Sequence, residues 1–208
     1  RAVLRFVEQA IKHGAEIRPK EKVIEWKESG GGISVKTDKG TYNCAKLIIT
    51  AGPWASQFIP QLSTKLSVTR QVIAWVNPKQ YIPFELGKFP CWLIDDDSKP
   101  AMYYGFPVLP VGQMAGPIGL KVAHHDPGTV TDPNNVNRIY SADDETNLIY
   151  ALNKFLPEGY KSMHVLKTCL YTNTSDENFV IDFLPGYDNV VIAAGFSGHG
   201  FKFASVIG

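Results

Sequence analysis

The residues with the clearest chemical potential lie at positions 190–202, Val-Val-Ile-Ala-Ala-Gly-Phe-Ser-Gly-His-Gly-Phe-Lys. The unbroken apolar run that opens this stretch suits a buried strand covered on both faces. Gly195, Gly198 and Gly200 end the run, and Phe201, Phe203, Ala204 and Val206 predict the start of a helix. Strand, glycine-rich turn and helix start would leave backbone N–H groups and a positive dipole end directed at one spot. Such a spot accommodates an anion or the electron-rich edge of a cofactor, and Lys202 adds a full positive charge. A tight turn between a core strand and a core helix is the plainer reading and stays open. The G-x-x-G-x-G spacing departs from the dinucleotide fingerprint.

A second stretch has the same design. Leu47, Ile48, Ile49 and Thr50 predict a buried strand, and Ala51-Gly52-Pro53-Trp54 turns out of it. Two parallel strands ending at one sheet edge would both offer backbone to a ligand; two unrelated core strands are the alternative. Residues 2–13 have helical apolar spacing, with Gly14 as cap and a short strand expected over 15–18. Residues 22–28 and 32–37 alternate about Gly30-Gly31-Gly32 as a hairpin, and a further strand begins at Thr41. Beyond Leu62 the chain becomes strand-rich: 66–76, 91–94, 102–107, 119–123, 161–173 and 178–183. A Pro/Gly-rich loop spans 108–117. A helix over 144–155 is capped by Ser141 or Asp143. Asp95-Asp96-Asp97 reads as a solvated turn, because consecutive carboxylates on a strand point to opposite faces and make a poor metal site. The pattern is a sheet-rich middle inserted in an α/β framework of the cofactor-binding type.

The 208 residues suffice for one substantial core or two small ones. A net charge of +1 implies no strong attraction to nucleic acid or membrane. No apolar run approaches the roughly 20 residues of a spanning helix. Cys44, Cys91 and Cys169 are odd in number and form no C-x-x-C pair, which disfavours a disulfide framework and zinc and fits a reducing, cytoplasmic setting. The chain opens inside a helical pattern without methionine and closes as another begins, as expected of a piece of a longer protein.

Lys-Thr-Cys-Leu-Tyr-Thr-Asn-Thr-Ser-Asp-Glu-Asn-Phe-Val-Ile-Asp at 167–182, with Ala-Gly-Phe-Ser-Gly-His-Gly-Phe-Lys-Phe-Ala at 194–204, resembles the monomeric sarcosine oxidase and N-methyltryptophan oxidase family. These are FAD-dependent amine oxidases of the D-amino-acid-oxidase-like superfamily. Residues 48–54 and Tyr103-Tyr104-Gly105-Phe106-Pro107 carry looser resemblance. The implied fold is α/β plus α+β: part of a FAD-binding Rossmann-like domain (1–64), an inserted antiparallel-sheet substrate domain (65–165), and a return to the FAD domain (166–208). The family's dinucleotide motif would lie upstream, so the isolated piece is expected to bind FAD poorly and to be inactive.

The resemblance implies FAD joined covalently through its 8α-methyl group to Cys169, with Lys167 expected to favour the thiolate. Gly52, Trp54, Gly198, His199, Gly200 and Phe201 would contact FAD, and Lys202 would hold both cofactor and substrate carboxylate. Tyr104 and Tyr171 would shape the substrate pocket. Lys121 would activate oxygen, with His125, or its neighbour His124, tuning protonation. The implied reaction takes sarcosine, O₂ and water to glycine, formaldehyde and H₂O₂, in a monomer without metal, nucleic acid or membrane partners. N-methyltryptophan or pipecolate as substrate, electron transfer to a carrier, and a non-catalytic sheet-rich fragment remain alternatives.

Overall fold

The computed structural model describes residues 2–112, 116–126 and 128–207. The chain forms two compact units, Arg1–Leu66 with Thr174–Phe196, and Ser67–Asn173 with Ser197–Gly208.

The first unit opens with helix α1 (Ala2–Lys12), whose Val3, Leu4, Phe6 and Ile11 are exposed. The strand expected over 15–18 does not form; all four residues are exposed, so no buried face favours a ladder there. Strands β1 (Val23–Ser29), β2 (Gly32–Thr37) and β3 (Thr41–Cys44) make an antiparallel meander. Gly30 and Gly31 join β1 to β2 with φ of 58° and 82°, the positive values a type I′ turn needs at both central residues. A second sheet joins β4 (Leu47–Ile49) to two later strands of this unit, Val180–Phe183 and Val190–Ala194. Val190–Ala194 runs parallel to β4, with Val190 opposite Leu47 and Ile192 opposite Ile49, so the two similar apolar strands are indeed neighbours. Ile33, Ile49, Ile59, Leu184, Val190 and Ile192 form the core. A four-residue helix, α2 (Ala55–Phe58), follows β4, and Phe58 O accepts a 2.9 Å hydrogen bond from Trp26 Nε1.

The second unit is built on an antiparallel sheet. Its strands are β5 (Ser67–Asn77), β6 (Trp92–Asp95), β7 (Met102–Phe106), β8 (Leu120–His124), β9 (Thr129–Val130) and β10 (Ser162–Asn173). The spatial order is β10-β5-β8-β7-β6, with β9 also on β5. Val180–Phe183 and Val190–Ala194, described above, are then β11 and β12 in chain order. Period-two alternation gives the sheet two different faces. Val72, Ala74, Val76, Leu120 and Val122 bury one face under Leu148 and Leu152 of helix α3 (Ala142–Phe155). Ser141 caps α3 with Asp144 in a reciprocal capping box. Arg70 ties that cap to β5 through Asp144, with both bonds at 2.9 Å.

Two expectations fail here. Asp96 is not a solvated turn residue: its side chain is buried, and it accepts hydrogen bonds from Ser98, Lys154 (2.6 Å) and Tyr150 (2.9 Å). The last turn of α3 covers it, which the local sequence does not reveal. The helix expected after Gly200 is only a 3₁₀ turn, Gly200–Phe203. Phe201, Phe203 and Val206 stay exposed, so no apolar stripe is buried to support a longer helix. Among the described residues, no helix is long and apolar enough to cross a membrane, and no cluster of three or more His, Cys, Asp or Glu could hold a metal.

Candidate active site

The other face of the second unit's sheet carries the polar and aromatic residues. Directly opposed residues of antiparallel strands share a face. Trp75 on β5 opposes Lys121 on β8, and Phe106 on β7 opposes Lys121 from the other side. Tyr104 opposes Ala123, two residues along β8 from Lys121. On β10, Cys169 opposes Gln71 and Lys167 opposes Ile73, two-residue steps from Trp75 along β5. Lys121, Tyr104, Lys167, Cys169 and Tyr171 therefore share one face because their strands alternate in phase.

His125 follows β8 and keeps to this face. Its N–H donates to Met102 O at 2.7 Å, and its ring centroid lies 5.9 Å from Tyr104 and 6.0 Å from Tyr171. The Tyr104 and Tyr171 hydroxyls are 3.4 Å apart. His124 belongs to the opposite face, 5.1 Å from the Tyr103 ring. Its Nε2 lies 2.7 Å from Asp126 Oδ2, an ion pair when the ring is protonated.

A cavity of about 510 Å³ opens on the polar face. Tyr104, Phe106, Lys121, His125, His199 and Lys202 are in its wall, with Gly198 and Phe201 of the glycine turn. Gly198 has φ 77°, and a Cβ there would lie 2.3 Å from the Tyr171 ring. Only glycine lets the turn press its backbone on that ring. Gly200 starts the 3₁₀ turn that carries Phe201 and Lys202. Gly52 and Trp54 form a 3₁₀ turn after β4 in the first unit.

Burial sets the electrostatics. It pushes the Cys169 thiol up, and the Lys121 ammonium pulls it partly back. Burial lowers Lys121, and Cys169 opposes that. Lys121 is thus a cation that acts on the Cys169 thiol, whereas Lys167, the cation expected from the sequence, is exposed and lies 5.9 Å from the Trp75 ring. Burial also raises both tyrosines; Tyr171 rises far above the ordinary phenol value, helped by its bond to Tyr104. Both hydroxyls are therefore neutral at physiological pH. No carboxylate pairs with Lys121 among the described residues, so a half-buried cation faces the cavity. Three residues at the site have no role assigned from the sequence: Trp75, Phe106 and Cys91, an exposed thiol in the cavity wall. The alternation of β5 and β7 carries the signal for the two aromatics, but it takes the register with Lys121 to read it.

Residues 1–208 match the DAO family, FAD dependent oxidoreductase, throughout. The chain belongs to that family. It is 35% identical over 207 residues to monomeric sarcosine oxidase of Bacillus sp. strain NS-129, covering 98% of this chain and 51% of that protein. It is 36% identical over 215 residues to human peroxisomal sarcosine oxidase, covering 99% of this chain and 52% of that protein. The chain spans about half the length of these curated relatives. Among solved structures, the open form of NikD, an unusual amino acid oxidase essential for nikkomycin biosynthesis, superposes with a TM-score of 0.74 at 21% identity, covering 96% of this chain and 52% of that one. The mixed α/β fold with an antiparallel sheet is thus that of the FAD-dependent oxidoreductases.

Proposed function

We propose that the full-length protein is a flavin-dependent oxidase of the secondary amine of an N-methyl amino acid, converting sarcosine, O₂ and water to glycine, formaldehyde and H₂O₂. The observation that carries this reading is the convergence of Tyr104, Lys121, His125 and Lys202 on one cavity, in a chain akin to sarcosine oxidases. The donor set fits FAD: a half-buried ammonium with no carboxylate partner among the described residues, aromatic rings, and the thiol of Cys169 share one sheet face. Cys169 would hold the flavin covalently, with Gly198, His199, Gly200 and Phe201 along it. FAD supplies the two-electron acceptor for the amine and the donor to O₂.

The protein's part is binding, orientation and charge. Lys202 receives the substrate carboxylate. The neutral hydroxyls of Tyr104 and Tyr171 orient the amine while their rings exclude water. His125, between the two tyrosines, adjusts the proton at the amine nitrogen before oxidation. Lys121 places positive charge where negative charge develops on dioxygen. The free thiols Cys44, Cys91 and Cys169 favour a reducing, cytoplasmic compartment, and the full-length protein would act as a monomer.

The test uses the full-length chain. It is precipitated with acid, washed and redissolved, and its visible spectrum is recorded. Flavin absorbance should stay with the protein, persist in Cys91→Ser and vanish in Cys169→Ser. Peroxide release with sarcosine, compared with N-methyltryptophan, then identifies the amine. Protein with no flavin in pellet or supernatant would mean a non-catalytic relative.

A further inference from the structure

Lys121 carries its charge in an unusual setting. Burial lowers its affinity for the proton, yet among the described residues no carboxylate compensates. Instead its Nζ lies 4.9 Å from the Phe106 ring centroid, 5.5 Å from that of Trp75 and 6.0 Å from that of Tyr104. All three distances fall within the roughly 6 Å over which a ring face attracts a cation. The arrangement is built into the sheet. Phe106 and Trp75 are the direct cross-strand neighbours of Lys121 on its two flanks, and Tyr104 is the diagonal neighbour.

We propose that Trp75 and Phe106 are positioning residues that, with Tyr104, form an aromatic cage keeping the Lys121 ammonium charged and fixed at the cavity. The choice of rings over a carboxylate has a physical consequence. A carboxylate would hold the proton on Lys121 but cancel its charge, leaving little positive potential for an anion. A ring quadrupole attracts the cation and adds no net charge. The cage therefore offsets part of the burial cost while leaving the positive field available. Other groups facing Lys121 do not replace it. Cys169 and Tyr171 on β10 and Tyr104 on β7 are neutral when protonated, and His125 closes the end of β8. Lys167, on the same Trp75 ring, and Lys202, with His199 in the cavity wall, add only positive charge or none. The consequence for dioxygen rests on the reading of Lys121 given above; the cage itself does not.

The experiment labels full-length protein with [ε-¹³C]lysine and follows the Lys121 Cε resonance against pH, assigned by its disappearance in Lys121→Arg. Phe106→Leu and Trp75→Leu keep apolar bulk but remove a ring. Each should move the Lys121 midpoint to lower pH, and the double variant should move it further. Phe106→Tyr, which restores a ring, should bring it back. Phe106 is 39% exposed, so its substitution leaves the fold intact even if that of Trp75 does not. An unmoved midpoint in Phe106→Leu and in a folded Trp75→Leu sinks the proposal. The alkaline limb of reoxidation by O₂, followed by stopped flow, should shift in step with the resonance. A resonance that moves while that limb stays put supports the cage and refutes the oxygen role of Lys121.

Discussion

Lys121 on β8 and Cys169 on β10 face the same side of one sheet with β5 between them, and each shifts the other's proton. The thiolate is the nucleophile in thiol chemistry, so the ammonium should govern how fast Cys169 reacts. In flavin-free full-length protein carrying Cys44→Ser and Cys91→Ser, the rate of alkylation by iodoacetamide reports the Cys169 thiolate. Adding Lys121→Met should move the inflection of the pH–rate profile upward and slow alkylation several-fold at neutral pH. An identical profile would show that burial alone sets the thiol. In the flavin-loaded enzyme, the same substitution should slow reoxidation by O₂ by roughly 10²–10³-fold, the usual effect of removing one preorganised charge-stabilising group.

Gly198 is where the glycine turn of the cavity wall meets the Tyr171 ring. Gly198→Ala would set a methyl 2.3–2.6 Å from three Tyr171 ring atoms, at a φ of 77°. The expected cost is about 1–3 kcal/mol from overpacking, with more from the backbone strain. Displacing Tyr171 should also raise KM for the amine. Gly186→Ala makes the control, since Gly186 has φ 91° and a Cβ added there would meet nothing within 4 Å. It should lower the Tm and leave KM alone. If both variants behave alike, the Tyr171 contact has no functional weight.

Asp96 sets an acid limit on stability. Lys154 foremost, with Ser98 and Tyr150, holds its carboxyl well below the usual carboxylate range. A carboxyl lowered in the native state contributes stability above its unfolded value, about 3.9, and loses it as pH falls through the lower native value. Lys154→Met should therefore destabilise the full-length protein at pH 7, with the gap to wild type narrowing below about pH 4. Urea midpoints at pH 7 and pH 3 measure it. A gap independent of pH would mean that Lys154 acts through packing alone.

What the sequence reveals and what it hides divide along the range of the interactions. The hairpin at Gly30-Gly31, the Ser141 cap and the parallel apolar strands β4 and β12 are written in contiguous residues and form, although β4 is shorter than expected and leaves Ile48 exposed where the apolar run predicts a buried strand. Asp96 looks solvated in its local sequence because its partners Tyr150 and Lys154 lie more than fifty positions away. Lys167 stands two residues from Cys169 and is the cation that proximity in sequence offers. Lys121, a cation that acts on the thiol, comes from another strand and is visible only through the registers of β10 and β8 on β5. The same registers are needed to find Trp75 and Phe106. Apolar spacing after Gly200 suggests a helix, but spacing does not say whether anything covers those residues.

His124 and His125 are adjacent in sequence and separated by the sheet. His125 lies against Tyr104 and Tyr171, while His124 lies against Tyr103 and Asp126. Their substitutions should split cleanly between function and stability. His125→Gln should lower kcat/KM for the amine, by up to roughly 10² if the ring moves a proton in catalysis. His124→Gln should leave kcat/KM near wild type and change the pH dependence of stability. Burial, the dominant influence, lowers the affinity of His124 for its proton against the opposing pull of Asp126. The unfolded chain therefore binds that proton first, and wild type loses stability as pH falls through the ordinary histidine value of about 6.5 toward the lower native one. The glutamine variant lacks this loss, so its stability relative to wild type should improve from pH 8 to pH 5, as read from urea midpoints. A kinetic defect in His124→Gln equal to that of His125→Gln would contradict the two-faced arrangement of β8.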